Sequence, residues 1–187
     1  MRSAGGHIVA YADDLVICCK RGADEALASM RQMMQRLRLT VNEEKTHVCC
    51  VPGQYFDFLG YQFGRFYSEA TGKAYLGTRP SKKSVKRLIE AIHEQTTRKT
   101  CLLEADEMVQ TLNRKLRGWA NYFKLGPESK AYRAVDGYTT TRLRRWLRKK
   151  HQIRCGGSGR YPNEYLYETL GLLRLPDLTR SFPWANA

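Results

Sequence analysis

Asp13 and Asp14 stand side by side in the run Tyr11-Ala12-Asp13-Asp14, between two short apolar stretches, His7–Tyr11 and Leu15–Cys19. The flanks read as β-strands and the run between them as a tight hairpin. A hairpin tip forces two adjacent carboxylates together, and their repulsion is costly unless a cation sits near them. A pair of divalent ions about 3.5–4 Å apart serves phosphoryl transfer. Mg²⁺ takes one or two carboxylates and fills its shell with water and substrate phosphate. The chemistry open to this pair is therefore nucleotidyl transfer. One metal would lower the pKa of an attacking hydroxyl, and the other would stabilise the departing pyrophosphate. Asp-Asp is also common in turns for geometric reasons alone, and Tyr-x-Asp-Asp arises by chance in about 2% of chains this long. Its surroundings decide: apolar strands on both sides and a strongly basic region downstream.

That basic region is the second chemical feature. Lys and Arg number 32 against 18 Asp and Glu, a net charge of +14. Residues 1–78 hold 9 basic and 8 acidic residues, whereas residues 79–187 hold 23 and 10. A field of that size favours a polyanion as partner. Arg142, Arg144, Arg145, Arg148, Lys149 and Lys150 lie on one helical stretch whose Leu143, Trp146 and Leu147 face the core. Solvated charged faces usually mix signs, and this one does not. Arg114, Lys115 and Arg117 form a second basic edge. Beside it, Tyr122 offers a ring for stacking on RNA, whereas Trp119 shares an apolar stripe with Leu112 and Leu116 and is expected in the core.

Other classes recede. No apolar run approaches the ~18 residues of a membrane span, and no apolar stretch follows Met1 as a signal peptide requires. A cytoplasmic protein with no membrane partner is expected. The six cysteines form no CxxC and no zinc ladder. Cys18, Cys19, Cys49 and Cys50 sit in β-like stretches and are expected as small buried side chains in a reducing compartment.

The elements that must position these groups follow an α+β pattern. After the hairpin, the spacing predicts a helix capped near Asp24, with Leu27, Met30, Met34 and Leu37 on its apolar face. Thr46–Val51 reads as a strand, and Tyr55–Phe66 as a strand pair broken at Gly60 or Gly64. The character changes near Arg79. Pro80 and Ser81 open a helix with Val85, Leu88, Ile89 and Ile92 as its buried stripe. A second helix runs from Ala105 to Phe123 and a third from Lys130 to Lys150. Gly156-Gly157-Ser158-Gly159 reads as a flexible linker, and residues 161–187 as a compact tail. No internal repeat is present.

Taken in order, five blocks resemble the group II intron-encoded reverse transcriptases, or maturases. Tyr11-Ala12-Asp13-Asp14 is similar to the family's catalytic hairpin. Leu39-Thr40-Val41-Asn42-Glu43-Glu44-Lys45-Thr46 is similar to the next block, ending in Lys-Thr. Phe56-Asp57-Phe58-Leu59-Gly60-Tyr61 resembles the block that grips the primer end. Arg79-Pro80-Ser81 opens what would be the thumb. Leu116-Arg117-Gly118-Trp119-Ala120-Asn121-Tyr122-Phe123 resembles the maturase signature that binds intron RNA.

The resemblance implies a partial reverse-transcriptase palm over residues 1–78, with antiparallel strands and a helix. An all-α thumb and maturase region follows over 79–155, and its tail over 156–187. It implies RNA-directed DNA synthesis with help to splicing, Asp13 and Asp14 holding Mg²⁺, and Lys45 protonating the departing pyrophosphate. Leu59, Gly60 and Tyr61 would grip the primer. The partners would be intron RNA and a template–primer duplex.

Two departures qualify it. Arg38 stands where the family has a glycine, so the turn there is expected to be made differently. The family also carries fingers, the first half of the palm and a third metal-binding aspartate ahead of the hairpin, and ten residues before Tyr11 cannot hold them. Asp24 is read as a helix cap and not as the missing ligand. The expectation is a chain inactive as a polymerase alone, with Mg²⁺ bound only in a complete site and the missing half either supplied by a separate chain or lost. The alternatives are a stand-alone RNA-binding splicing factor without catalysis, and a decayed insertion-element fragment. The upstream genomic sequence separates them.

Overall fold

The computed structural model describes residues 6–68, 71–125, 130–153 and 157–179. Its contacts gather into two compact units, Met1–Leu59 with Phe63–Leu76 and Gly60–Gln62 with Gly77–Ala187. The mixture of helices with two small sheets is α+β, as expected.

In the first unit, β1 (His7–Tyr11) and β2 (Asp14–Cys18) pair antiparallel, with Val9 opposite Val16 and Tyr11 opposite Asp14. Among the described residues these two strands form a sheet by themselves, with the apolar side chains of β1 exposed (Ile8 by 60% and Tyr11 by 65%) and Leu15, Val16 and Ile17 of β2 only partly covered. The expected burial of the cysteines fails for the same reason. Cys18 and Cys50 are exposed, and Cys19 and Cys49 only partly covered, because no apolar layer closes over these segments. Cys155 lies outside the described residues.

Helix α1 spans Ala23–Arg36. Its N-cap is Gly22 at φ 70°, not Asp24, which sits in the first turn where a carboxylate meets the positive end of the helix dipole. Met30 is buried on its inner face, but Leu37 is already past the last turn and is 60% exposed. The helix ends in a Schellman pair: Leu39 N–H donates to Met34 O at 2.9 Å and Arg38 N–H to Gln35 O at 3.0 Å. Arg38 holds φ 55°. The expectation of a different turn is thus overturned. The left-handed cap forms without glycine, and two backbone hydrogen bonds offset the steric cost.

Residues 46–50 are not a strand. Asn42 turns the chain on itself, its side chain accepting from Lys45 N–H (3.2 Å) and its carbonyl from the Thr46 hydroxyl (2.8 Å). Local bonds of this kind compete with a ladder.

A three-stranded sheet follows in the order β3 (Phe56–Phe58), β4 (Tyr61–Tyr67), β5 (Ala74–Pro80). The break falls at Gly60. Leu59 at φ 49° and Gly60 at φ 78° make the two-residue turn with positive φ at both positions that matches strand twist. Gly64 lies inside β4, where a Cβ would come within 2.2 Å of the Tyr55 ring.

In the second unit, Pro80 closes β5 and does not open a helix. Helix α2 (Lys82–Gln95) begins after it, capped by Ser81, whose hydroxyl accepts from Ser84 N–H at 3.2 Å. Helices α3 (Ala105–Tyr122) and α4 (Lys130–Lys150) match the predicted spans, with Phe123 as the cap of α3. Ile92, Leu112, Leu116, Val135, Leu143 and Trp146 are fully buried among them. Trp119 is only partly buried, against Phe123 and Tyr132.

The expected linker is in part a helical turn, α5 (Gly157–Arg160), while Gly156 lies outside the described residues. The tail is anchored ahead of and at the start of a short helix, α6 (Leu175–Thr179). Asn113 donates to Gly171 O (2.8 Å) and accepts from Leu173 N–H (2.7 Å). Asp136 accepts from the Tyr167 hydroxyl (2.5 Å) and Leu175 N–H (3.0 Å). Burial, and then that carboxylate, push the Tyr167 hydroxyl well above its usual range.

Candidate nucleic-acid interface and carboxylate pair

The hairpin turn places Asp13 at its second central position and Asp14 on the first residue of β2. Ala12 takes φ 48°, a left-handed conformation that glycine usually fills at this turn. The left-handed turn therefore forms without glycine beside the candidate chemical groups, where such strain tends to collect. Both aspartates are exposed, and neither side chain has a hydrogen-bond or ion-pair partner among the described residues. Two unengaged carboxylates are hard oxygen donors suited to a hard dication. Among the described residues, no cluster of three or more potential metal ligands forms.

Lys45 lies on an exposed turn, and its side chain bonds to neither aspartate. Its neighbour Glu43 pairs with Arg31 at 2.5 Å, and that contact holds the Glu43 carboxyl below its usual range.

Leu59, Gly60 and Tyr61 are positioned by a tight turn. The Gly60 carbonyl accepts from the Ser84 hydroxyl and from Ser81 N–H, both at 2.9 Å. A Cβ on Gly60 would meet the Ser84 oxygen at 2.9 Å and the Phe123 ring at 3.3 Å, so glycine is required by φ and by space. The Tyr61 side chain is buried. Its hydroxyl donates to Tyr122 O at 2.5 Å and its ring packs edge-on to Phe123.

The basic run on α4 divides in two. Arg142 turns inward and caps the C-terminus of α2, donating to the Thr96 hydroxyl (2.9 Å), Thr96 O (2.8 Å) and His93 O (3.2 Å). Arg144 donates to Tyr161 O (2.7 Å) and to the Asn163 side chain. Lys150 donates to Leu103 O (2.8 Å) and Glu104 (3.3 Å). Arg145 and Lys149 are exposed and have no protein partner among the described residues. With Arg148 they line a depression of about 430 Å³.

On α3, Arg114 and Arg117 are exposed and Lys115 is partly covered. Among the described residues, Arg114 reaches only the Thr111 hydroxyl, at 3.2 Å. The Tyr122 ring is 55% exposed and lies 6.0 Å from that of Tyr61. Gly118 has open space where its Cβ would be.

Charge periodicity could not separate the inward cations from the outward ones, because all six lie within nine residues. The partner carbonyls belong to the end of α2 and to the loops around Leu103 and Tyr161, remote in sequence. Arg142→Ala is expected to cost about 1.5–3 kcal/mol, since it strips charged hydrogen bonds from the part-buried end of α2. Thermal unfolding measures it, and an unchanged melting temperature would contradict the capping role.

The model of the family described as group II intron, maturase-specific domain matches residues 85–158, and that of reverse transcriptase (RNA-dependent DNA polymerase) matches residues 1–63. No curated protein matches the chain. Among the described residues, no helix is long and apolar enough to cross a membrane.

Proposed function

Since this chain belongs to the group II intron reverse transcriptases and maturases, we propose that its helical unit binds intron RNA and assists splicing in the cytoplasm, while its hairpin contributes to an RNA-directed DNA polymerase site. One observation carries the RNA reading. Arg114, Arg117, Arg145 and Lys149 are exposed with no acidic partner among the described residues, in a part of the chain with 23 basic and 10 acidic residues. Such a surface lowers its own repulsion by taking up phosphates.

On this reading residues 1–78 are the second part of a palm, and the helices from α2 onward are thumb and maturase domain. Asp13 and Asp14 would hold Mg²⁺, which when bound supplies charge stabilisation for attack by a primer hydroxyl on a nucleoside triphosphate. Lys45 protonates the departing pyrophosphate. The Leu59-Gly60 turn offers its backbone to the primer end, while Tyr61 fixes that turn from the core and makes no primer contact itself. The remaining palm, the fingers and a third carboxylate come from a further segment, in the same polypeptide or a separate chain. The bare hairpin supports this, because a lone two-stranded sheet is marginal in water. The lack of a third metal-ligating group beside Asp13 and Asp14 among the described residues favours the second reading, a splicing factor that binds RNA without catalysis.

The experiment is a competition between an RNA containing a group II intron and an unrelated structured RNA of equal length. The chain is expected to prefer the intron by about tenfold or more, the worth of one further well-made charged contact. Equal affinity would contradict the maturase assignment.

A further inference from the structure

The end of α4 holds an arrangement that helix packing does not require. Arg145, Arg148 and Lys149 fall at i, i+3 and i+4, so they share one face. They line the depression of about 430 Å³ together with Gln152 and Ile153. The helix closes in a Schellman motif: Ile153 N–H donates to Arg148 O at 2.9 Å and Gln152 N–H to Lys149 O at 3.2 Å. The left-handed position of this motif is normally glycine, yet Gln152 occupies it at φ 53°. A glycine there would relieve the strain but would remove an amide side chain from the depression. Backbone strain of this kind gathers at ligand clamps.

The helix dipole accounts for part of the charge, since its negative end amounts to about half an elementary charge. Lys150, already bound to Leu103 O and Glu104, is placed to answer it. Arg145 and Lys149 remain, exposed and without a protein partner among the described residues.

We propose that this depression seats one phosphate ester of a bound RNA strand, with Arg145, Arg148 and Lys149 around the phosphate and the Gln152 amide donating to it or to the adjoining sugar. The inference rests on the RNA-binding reading and deepens it. It distinguishes a seat built for one phosphate from cations that each meet a phosphate of their own.

The test titrates oligouridylate RNA against the chain, Arg145→Gln/Lys149→Gln and Arg114→Gln/Arg117→Gln, each over a salt series. Adenosine monophosphate is titrated separately as a free phosphate ester. On a single strand each neutralised phosphate contributes about 0.7 to the slope of log affinity against log salt. The seat predicts that the Arg145/Lys149 pair removes about 0.7, and the Arg114/Arg117 pair about 1.4. A loss of about 1.4 at the α4 pair, or no loss, overturns the seat while leaving RNA binding intact. A flat response from the unmodified chain overturns the RNA reading itself. Tighter binding of the monophosphate than of oligouridylate overturns assignment to an RNA strand. Gln152→Gly should raise the melting temperature by about 2–4 °C and weaken oligouridylate binding. If the Gln152→Gly variant binds oligouridylate as tightly as the unmodified chain, the amide has no part in the seat.

Discussion

The 187-residue chain is expected to give no primer extension with Mg²⁺, a template–primer duplex and nucleoside triphosphates. Asp13 and Asp14 present two exposed carboxylates, and among the described residues no third metal-ligating group joins them. Mg²⁺ demands near-octahedral geometry and loses its water reluctantly. Two carboxylates on an uncovered turn can hold it but cannot fix it against a reacting triphosphate, and misplacement by about 1 Å can cost some 10²-fold in rate. Adding a segment that carries the family's fingers and first palm half, fused or as a separate chain, should restore extension. Asp13→Ala and Asp14→Ala should each abolish the restored activity. Because both aspartates are exposed, neither change should lower the melting temperature, which separates loss of chemistry from loss of fold. Robust extension by the chain alone, abolished by Asp13→Ala, would contradict this account.

Much of the helical unit was legible. The stripe Leu112, Leu116 and the pair Leu143, Trp146 fixed the inner faces of α3 and α4, because burial there is continuous and the 3.6-residue period has no rival. The hairpin around Ala12 and Asp13 was legible from two short β-type runs joined by turn-forming aspartates, although its strands are not buried. The failures have physical causes. Ala74–Pro80 forms a strand although its run Ala-Tyr-Leu-Gly-Thr-Arg-Pro shows little alternation, since pairing with β4 decides it. Thr46–Val51 has β-type residues, but its ends make local bonds instead of a ladder: Thr46 to Asn42 and Cys50 to Gln54. Arg38 and Gln152 hold left-handed caps that a sequence reading reserves for glycine.

The site was half legible. Residue types marked Asp13, Asp14 and the basic run, but the inward turn of Arg142, Arg144 and Lys150 depends on carbonyls far away in sequence. The Asn113 and Asp136 anchors of the tail had no signal of their own. Each is a single polar residue whose partner is defined only by the tertiary fold.

The claim that organises the rest is that the helical unit is a phosphate-binding surface, and its salt dependence tests it most directly. Neutralising about 6–10 phosphates releases their condensed counterions, and affinity then falls by roughly 10³–10⁵ between about 50 and 200 mM salt on a duplex, somewhat less on single strands. The exposed cations on α3 and α4 can supply only part of that number, so the remaining Lys and Arg of residues 79–187 must share in it. The measurement is a filter-binding titration of intron RNA against the chain at a series of salt concentrations. The account predicts a straight line of log affinity against log salt with a slope between about −4 and −9; a flat line would contradict it.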